Sequence, residues 1–403
     1  MDHNERRIVG ITMLGHAMVH TFELSIPVFI PIWLDVFSLT PATMGAIVAV
    51  GYGLFGVGAL PGGILADLYG SRRLILGCLL GMSLAFLAVS VAPTPLLLMA
   101  ALVLWGIAAS VYHPSGLSLI SRGIEARGTG LAYHGMAGNV GIALGPLATL
   151  LLLVIFDWRT VAMLLTVPAL VAVALVFLSG FEEPVPAGTT DGGTRMEAFS
   201  FAEFVADSRA LFAGGFVLVF GIIVLEGLFY RGALTFLPDL LAGLSRFDPV
   251  RVGAKTLDPG RYLYAGLLLV GIAGQYVGGR LTDRVRPERA LIVTFAALAV
   301  VSLLFIPAAR AGAGPLLVAS ALLGVILFGE QPILQATVAE HSPAVVRGLS
   351  YGYMYIGIFG VGAFGAAITG VILTYGTPAG LFAVLAAFCV VAAGLAALVV
   401  AWY

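Results

Sequence analysis

Long apolar runs broken by short polar segments divide the chain. The runs lie at 9–34, 42–66, 73–92, 95–120, 129–155 and 159–180, then at 211–241, 260–282, 289–309, 314–339, 347–374 and 378–402. Crossing the hydrocarbon core of a bilayer takes about 20 apolar residues in a helix. The pattern therefore predicts twelve membrane-spanning helices, called span 1 to span 12 in chain order. The runs are too long and too continuously apolar for the alternating strands of a membrane barrel. Six spans lie on each side of one polar stretch, "EEPVPAGTTDGGTRMEAFSFAEFVADSRA" (182–210). Its start is rich in Pro, Gly and Thr and reads as a flexible linker. Its end, from Phe199 to Val205, reads as a short interfacial helix. The expected organisation is a first six-helix bundle at 1–180, a linker at 181–210 and a second bundle at 211–403.

Composition agrees with a lipid solvent. Of the 403 residues, 60% are hydrophobic and 10% charged, with a mean hydropathy of +1.06. Soluble domains carry about 25% charged residues. The net charge of −1 gives no reason to expect a nucleic-acid partner. Cys78 and Cys389 lie in distant apolar runs and suggest neither a metal site nor a disulfide. No phosphate-binding loop is visible, so ATP is not the expected energy source. Arg6 and Arg7 precede an apolar run as in a secretory signal, but the run from Ile8 to Leu34 is too long for one and is expected to be retained as span 1.

Arginine placement predicts orientation. With the N-terminus inside, thirteen basic residues fall on the inner side, from Arg6 and Arg7 to Arg347, against six on the outer side (Arg159, Arg246, Arg251, Lys255, Arg261 and Arg310). Both termini are expected in the cytoplasm, in a multi-pass protein of the cell membrane.

The halves repeat each other. "GGILADLYGSRR" (62–73) recurs as "GGRLTDRVRPER" (278–289), 216 positions later. Gly106 and Pro114 fall on Gly324 and Pro332, Arg127-Gly128 on Arg347-Gly348, Tyr133 on Tyr353 and Gly145 on Gly365, at offsets of 216–220. Two parallel six-helix copies predict a transporter with its binding site between them near mid-depth.

The first phrase resembles the loop signature between helices 2 and 3 of the major facilitator superfamily, through Gly63, Asp67, Gly70, Arg72 and Arg73. Leu68 and Ser71 stand where that family prefers basic residues. The second copy keeps Gly279, Asp283 and Arg284 but not the later glycine. "SVYHPSGLSLISRGIEARGTGLAYHGMAGNVGIALGPL" (110–147) and "FSLTPATMG" (37–45) resemble the fosmidomycin-resistance branch. The resemblance implies an all-α membrane protein in two pseudo-symmetric bundles, with no enzymatic activity and no cofactor. It also implies that the Gly–Asp–Arg clusters latch the cytoplasmic side shut. Plain anchoring of a short loop accounts for the arginines alone. "GMAGNVGIALGP" (135–146) partly resembles the antiporter motif of exporters through Gly141, Gly145 and Pro146, but Thr149 and Leu150 replace its last glycines. Gly138 shares that glycine face, which suits tight packing against a partner helix. The arginine that exporters carry in helix 4 is missing, since Leu102 stands there.

Polar groups within spans cost free energy and need a reason. His16, His20 and Glu23, spaced four and three apart, share one face of span 1. They line the cavity or tie helices together. His113-Pro114 interrupts span 4, opposite Glu330-Gln331-Pro332 in span 10, and each proline is a kink for packing or part of a site. Span 7 carries Glu226, Tyr230 and Arg231, where Glu226 and Arg231 form an internal ion pair or serve separately as proton site and substrate contact. Tyr351 and Tyr355 offer a stacking wall, and Asn139 is a further cavity candidate. Tyr112 is an aromatic of packing or cavity, and His134 and His341 read as structural. Glu23 is the expected proton-coupling carboxyl, because Arg231 is expected to occupy Glu226.

The function expected is proton-coupled efflux of small organic molecules by alternating access, from a monomer. The alternatives are a proton- or sodium-coupled importer of an organic anion, with Arg231 on the anion, and a non-transporting sensor of the same fold.

Overall fold

The structure is a computed structural model that describes residues 1–183, 200–244, 247–252, 255–257, 259–342 and 347–402. Twelve of its helices are long and apolar enough to cross a membrane: His3–Val36, Pro41–Ala66, Ser71–Val91, Pro95–Gly123, Arg127–Ile155, Trp158–Leu178, Phe216–Thr235, Pro259–Thr282, Pro287–Ala311, Ala313–Glu340, Leu349–Tyr375 and Pro378–Trp402. They match the expected spans in order. Span 1 starts earlier than its apolar run, because Asp2 and Glu5 form a capping box over its first turn. Ser200 caps the helix Phe201–Phe212, which is longer than the interfacial helix expected there. A small antiparallel hairpin, Val250–Val252 with Lys255–Leu257, sits in the loop between spans 7 and 8.

The outer surface is apolar, with Leu84, Val91, Phe177 and Val293 among its exposed side chains. Exposed apolar surface on this scale fits a lipid-facing protein. Each bundle has its own core. One is built around Phe22, Phe86, Trp33 and Trp105, and the other around Phe216, Phe229, Phe305 and Phe328.

Several spans are interrupted. Span 4 consists of Pro95–Ser110 and Tyr112–Gly123, with the break at Val111. Pro114 explains it: a proline ring clashes with the carbonyl four residues back, here that of Ser110. Span 2 breaks opposite, at Gly58, where a side chain would collide with Ser110. Pro332 does not repeat the break, since Ala313–Glu340 is continuous through it. Span 11 contains a π-helical stretch, Ile356–Val361, following Tyr355. The irregular segment of the second bundle among the described residues lies in span 11 rather than at Pro332.

Arg7 donates to the carbonyl of Gly180, which places the start of span 1 and the end of span 6 on one face, the terminal face. Toward the opposite face, spans 2 and 11 seal the seam between bundles. The Ala42 amide donates to Thr374 Oγ1 at 2.8 Å. Gly45 lies against Ala366, Gly56 against Phe359 and Gly360, and Gly370 against Pro41.

The glycine face of span 5 packs within the first bundle. Side chains on Gly138, Gly141 and Gly145 would meet His16, Ala17 and Thr21 of span 1. Thr149, where the exporter motif carries glycine, hydrogen-bonds Ser25 at 2.8 Å and fastens the same two spans. These placements give contrasting expectations for one chemical change. Gly141→Leu overpacks a bundle core against backbone and should cost about 3 kcal/mol, seen as a lower melting temperature. Gly45→Leu meets the Ala366 carbonyl across the seam and should leave both cores intact while holding the seam apart. Thiol labelling of a cysteine placed at Ala363 would report the opening. Equal melting losses for both variants would contradict the distinction.

Candidate functional site

The polar face of span 1 is assembled as its spacing requires, and it meets span 7. Glu23 is fully buried, and its carboxylate takes two donors. Arg231 Nη2 contacts Oε1 at 2.5 Å. His20 Nδ1 contacts Oε2 at 2.6 Å. The pair Glu23–Arg231 thus joins the bundles across 208 sequence positions. Arg231 does not pair with Glu226, so the expected pairing within span 7 is corrected. Residues five apart on an α-helix point about 140° from each other, and the guanidinium turns to span 1 instead.

Three aromatic rings surround that guanidinium. Its carbon lies 3.9 Å from the ring centre of Tyr52, 5.3 Å from that of Phe359 and 5.4 Å from that of Tyr230. A desolvated cation over aromatic faces is stabilised by about 2 kcal/mol. The Tyr52 hydroxyl also donates to the backbone carbonyl of Glu23 at 3.4 Å. Neither Tyr52 nor Phe359 carries a sequence signal of its role. Tyr52 sits in a glycine-rich apolar run, and Phe359 in the π-helical stretch.

Beside the ion pair, four histidines gather. His16 and His20 come from span 1, His113 from the start of the second piece of span 4, and His134 from span 5. His16 Nε2 and His20 Nε2 are 3.0 Å apart. His16 Nδ1 contacts the carbonyl of His134 at 2.7 Å. The rings of His16 and His134 stack at 3.8 Å. His134 is therefore part of the cluster, although its place near a span end suggested otherwise. Tyr112 stacks on His16 at 5.7 Å, and its hydroxyl donates to the Thr12 carbonyl. Tyr355 reaches the cluster from span 11, 4.9 Å from His113. Tyr351 and Tyr355 both pack against the core of the second bundle.

A second acidic pair lies within the second bundle. Glu226 and Glu330 are buried, and none of their four carboxyl oxygens has a hydrogen-bond partner among the described residues. They stand within electrostatic reach of each other, and both are within reach of Cys389. Gln331, next to Glu330, instead pairs with Gln275 at 3.4 Å. Asn139 is half-buried in span 5, one position past Gly138, and Pro146 lies within that helix.

At the terminal face, the first Gly–Asp–Arg cluster is organised by a residue whose surroundings in sequence are those of a linker. The Glu183 carboxylate accepts from the backbone amides of Ser71 and Arg72, capping the first turn of span 3 where the helix dipole favours an anion. Arg72 donates to the carbonyls of Val176 and Phe177 and lies 5.2 Å over Phe181. Gly70 has φ +86°, which suits glycine at the joint between spans 2 and 3. Arg73, Asp283 and Arg284 are exposed, and Gly63 and Gly279 are half-buried. The side chain of Asp67 lies outside the described residues. The contacts of Arg72 run to span 6 of its own bundle.

The family pattern described as Major Facilitator Superfamily matches residues 12–363 and, in an overlapping stretch, 262–403. A gallate transporter of Pseudomonas putida is 27% identical over 88% of this chain and 83% of its own. The puromycin resistance protein pur8 of Streptomyces alboniger is 30% identical over 59% of this chain and 55% of its own. Among solved structures, a D-xylose–proton symporter shares the fold with a TM-score of 0.76 at 15% identity, covering 97% of this chain and 96% of that one. A bacterial homologue of the human lysosomal transporter Spinster, inward-facing and occupied, gives 0.72 at 14% identity, covering 100% and 98%.

Proposed function

Because the chain belongs to the major facilitator superfamily and is a membrane transporter rather than an enzyme, we propose that it moves a small organic acid by alternating access coupled to protons. The observation that carries this reading is the Glu23–Arg231 bridge between the bundles. A buried ion pair holds two elements only while both partners stay paired. A solute carboxylate that takes Arg231 from Glu23 would open the bridge and free the bundles to rock. Tyr52, Tyr230 and Phe359 around Arg231 suit an acid with a flat apolar body. The gallate transporter among the relatives supports this solute class.

The proton seat in this reading is the pair Glu226 and Glu330, which has no hydrogen-bond partner among the described residues, rather than Glu23, which has two. The terminal face is assigned to the cytoplasm of the cell membrane from the excess of arginines there. There, the Gly–Asp–Arg clusters would close the cytoplasmic gate in the outward-open state.

A second reading, drug efflux in exchange for protons, draws on the puromycin resistance relative and on the resemblance to the fosmidomycin-resistance branch. Reconstituted vesicles with an imposed pH gradient separate the two. Accumulation of an aromatic or aliphatic carboxylate along the proton gradient supports the first. Cationic drugs moving against the proton gradient, with no acid transported, would overturn it in favour of the second.

A further inference from the structure

Hydrogen-bond chemistry fixes the proton positions in the histidine cluster. The His134 carbonyl can only accept, so His16 Nδ1, 2.7 Å away, carries a hydrogen. Glu23 receives Arg231 on Oε1 and is a carboxylate, so His20 Nδ1 donates to its Oε2. A neutral imidazole with hydrogen on Nδ1 has a lone pair on Nε2. The two Nε2 atoms nevertheless face each other at 3.0 Å. Two acceptors at that distance require a cation between them.

A proton would serve two nitrogens, but the site offers three. One ligand nitrogen from each of His16, His20 and His113 falls within 4.8 Å of the others. Nitrogens bound tetrahedrally at about 2.0–2.1 Å from zinc stand about 3.3 Å apart. The first two already approach that spacing, and the His113 nitrogen, within 4.8 Å of both, would move inward to reach it. The surroundings are those that orient metal-bound histidines: one ring N–H on a carboxylate, another on a backbone carbonyl. The ligands also come from two spans, so a bound ion would fasten span 1 to span 4 at the break beside Pro114.

We propose that His16, His20 and His113 bind a divalent transition-metal ion of the zinc type. Imidazole ligands suit zinc, copper and nickel, and exclude calcium and magnesium, which take oxygen ligands. Three histidines leave a fourth position for a water or a solute carboxylate, the arrangement of an open zinc site. Tyr355, beside His113, brings span 11 of the second bundle to the edge of that site.

The test uses tag-free full-length protein in detergent. Equilibrium dialysis with zinc should give one ion per chain, and cobalt should give the visible bands of a tetrahedral site that zinc then displaces. His16→Gln, His20→Gln and His113→Gln should each weaken zinc binding at least tenfold, whereas His341→Gln, remote from the cluster, should bind as the parent does. If a cluster variant does not fold, the cobalt spectrum of the unaltered protein decides. Absence of saturable zinc binding at micromolar concentrations overturns the proposal. So does a six-coordinate cobalt spectrum, or zinc binding retained in a variant lacking all three histidines.

Discussion

Arg231→Met is expected to abolish transport and to destabilise the protein by about 3–5 kcal/mol, because it leaves a buried carboxylate with one partner fewer. Glu23→Gln should also abolish transport but destabilise less. The freed guanidinium would keep the faces of Tyr52, Tyr230 and Phe359, while Glu23 without Arg231 keeps only His20. The double variant decides whether the bridge acts as a unit. Replacing both charges removes the unpaired ion, and such replacements are often neutral for stability. Glu23→Gln with Arg231→Met should therefore melt near the parent and still not transport. Melting curves in detergent and flux in vesicles measure the two outcomes. Single variants as stable as the parent would mean that the pair is not formed in the resting state. A double variant with parental flux would remove the bridge from the transport cycle.

The spans are legible in the sequence because lipid enforces them: every crossing needs about 20 largely apolar residues in helical form, and the chain has little else. The shared face of His16, His20 and Glu23 is legible for a similar reason, since spacings of three and four fix a helical face. Periodicity does not say which faces meet. The partner of Glu23 lies 208 positions away, and the nearest acid in sequence to Arg231 within its span, Glu226, is turned away from it by the helix they share. His134 joins the cluster through its backbone carbonyl and its ring face, neither of which has a sequence signal. Glu183 caps a helix more than a hundred positions upstream, so a linker composition conceals a fixed contact. The break at Val111 is readable from Pro114, but the π-helical stretch of span 11 carries no proline and shows no comparable mark.

Glu226→Gln is expected to fold at least as well as the parent and to lose transport driven by a pH gradient. An ionised carboxylate away from water and without a partner costs several kcal/mol, whereas the neutral acid does not. Glu226 on span 7 and Glu330 on span 10 lie within electrostatic reach of each other. The other groups within reach are Arg231 and Tyr230 on span 7 and Cys389 on span 12. Neither carboxyl has a hydrogen bond to the guanidinium, which is committed to Glu23. On the proposed reading the pair holds protons in this conformation, and a conformation that admits water to it would let them leave. Glutamine imitates the protonated acid in shape and charge, so Glu226→Gln should hold the site permanently in its loaded form. Proton-driven accumulation should fall at least tenfold, while exchange of labelled for unlabelled solute without a gradient continues. Glu330→Gln should act in the same direction. Solute and proton fluxes measured together in vesicles, with melting curves alongside, check both variants. A Glu226→Gln protein that still carries protons with solute at the parental ratio would rule the pair out as the coupling site. A protein that fails to fold would instead mark Glu226 as a structural residue with a partner in some other state of the cycle.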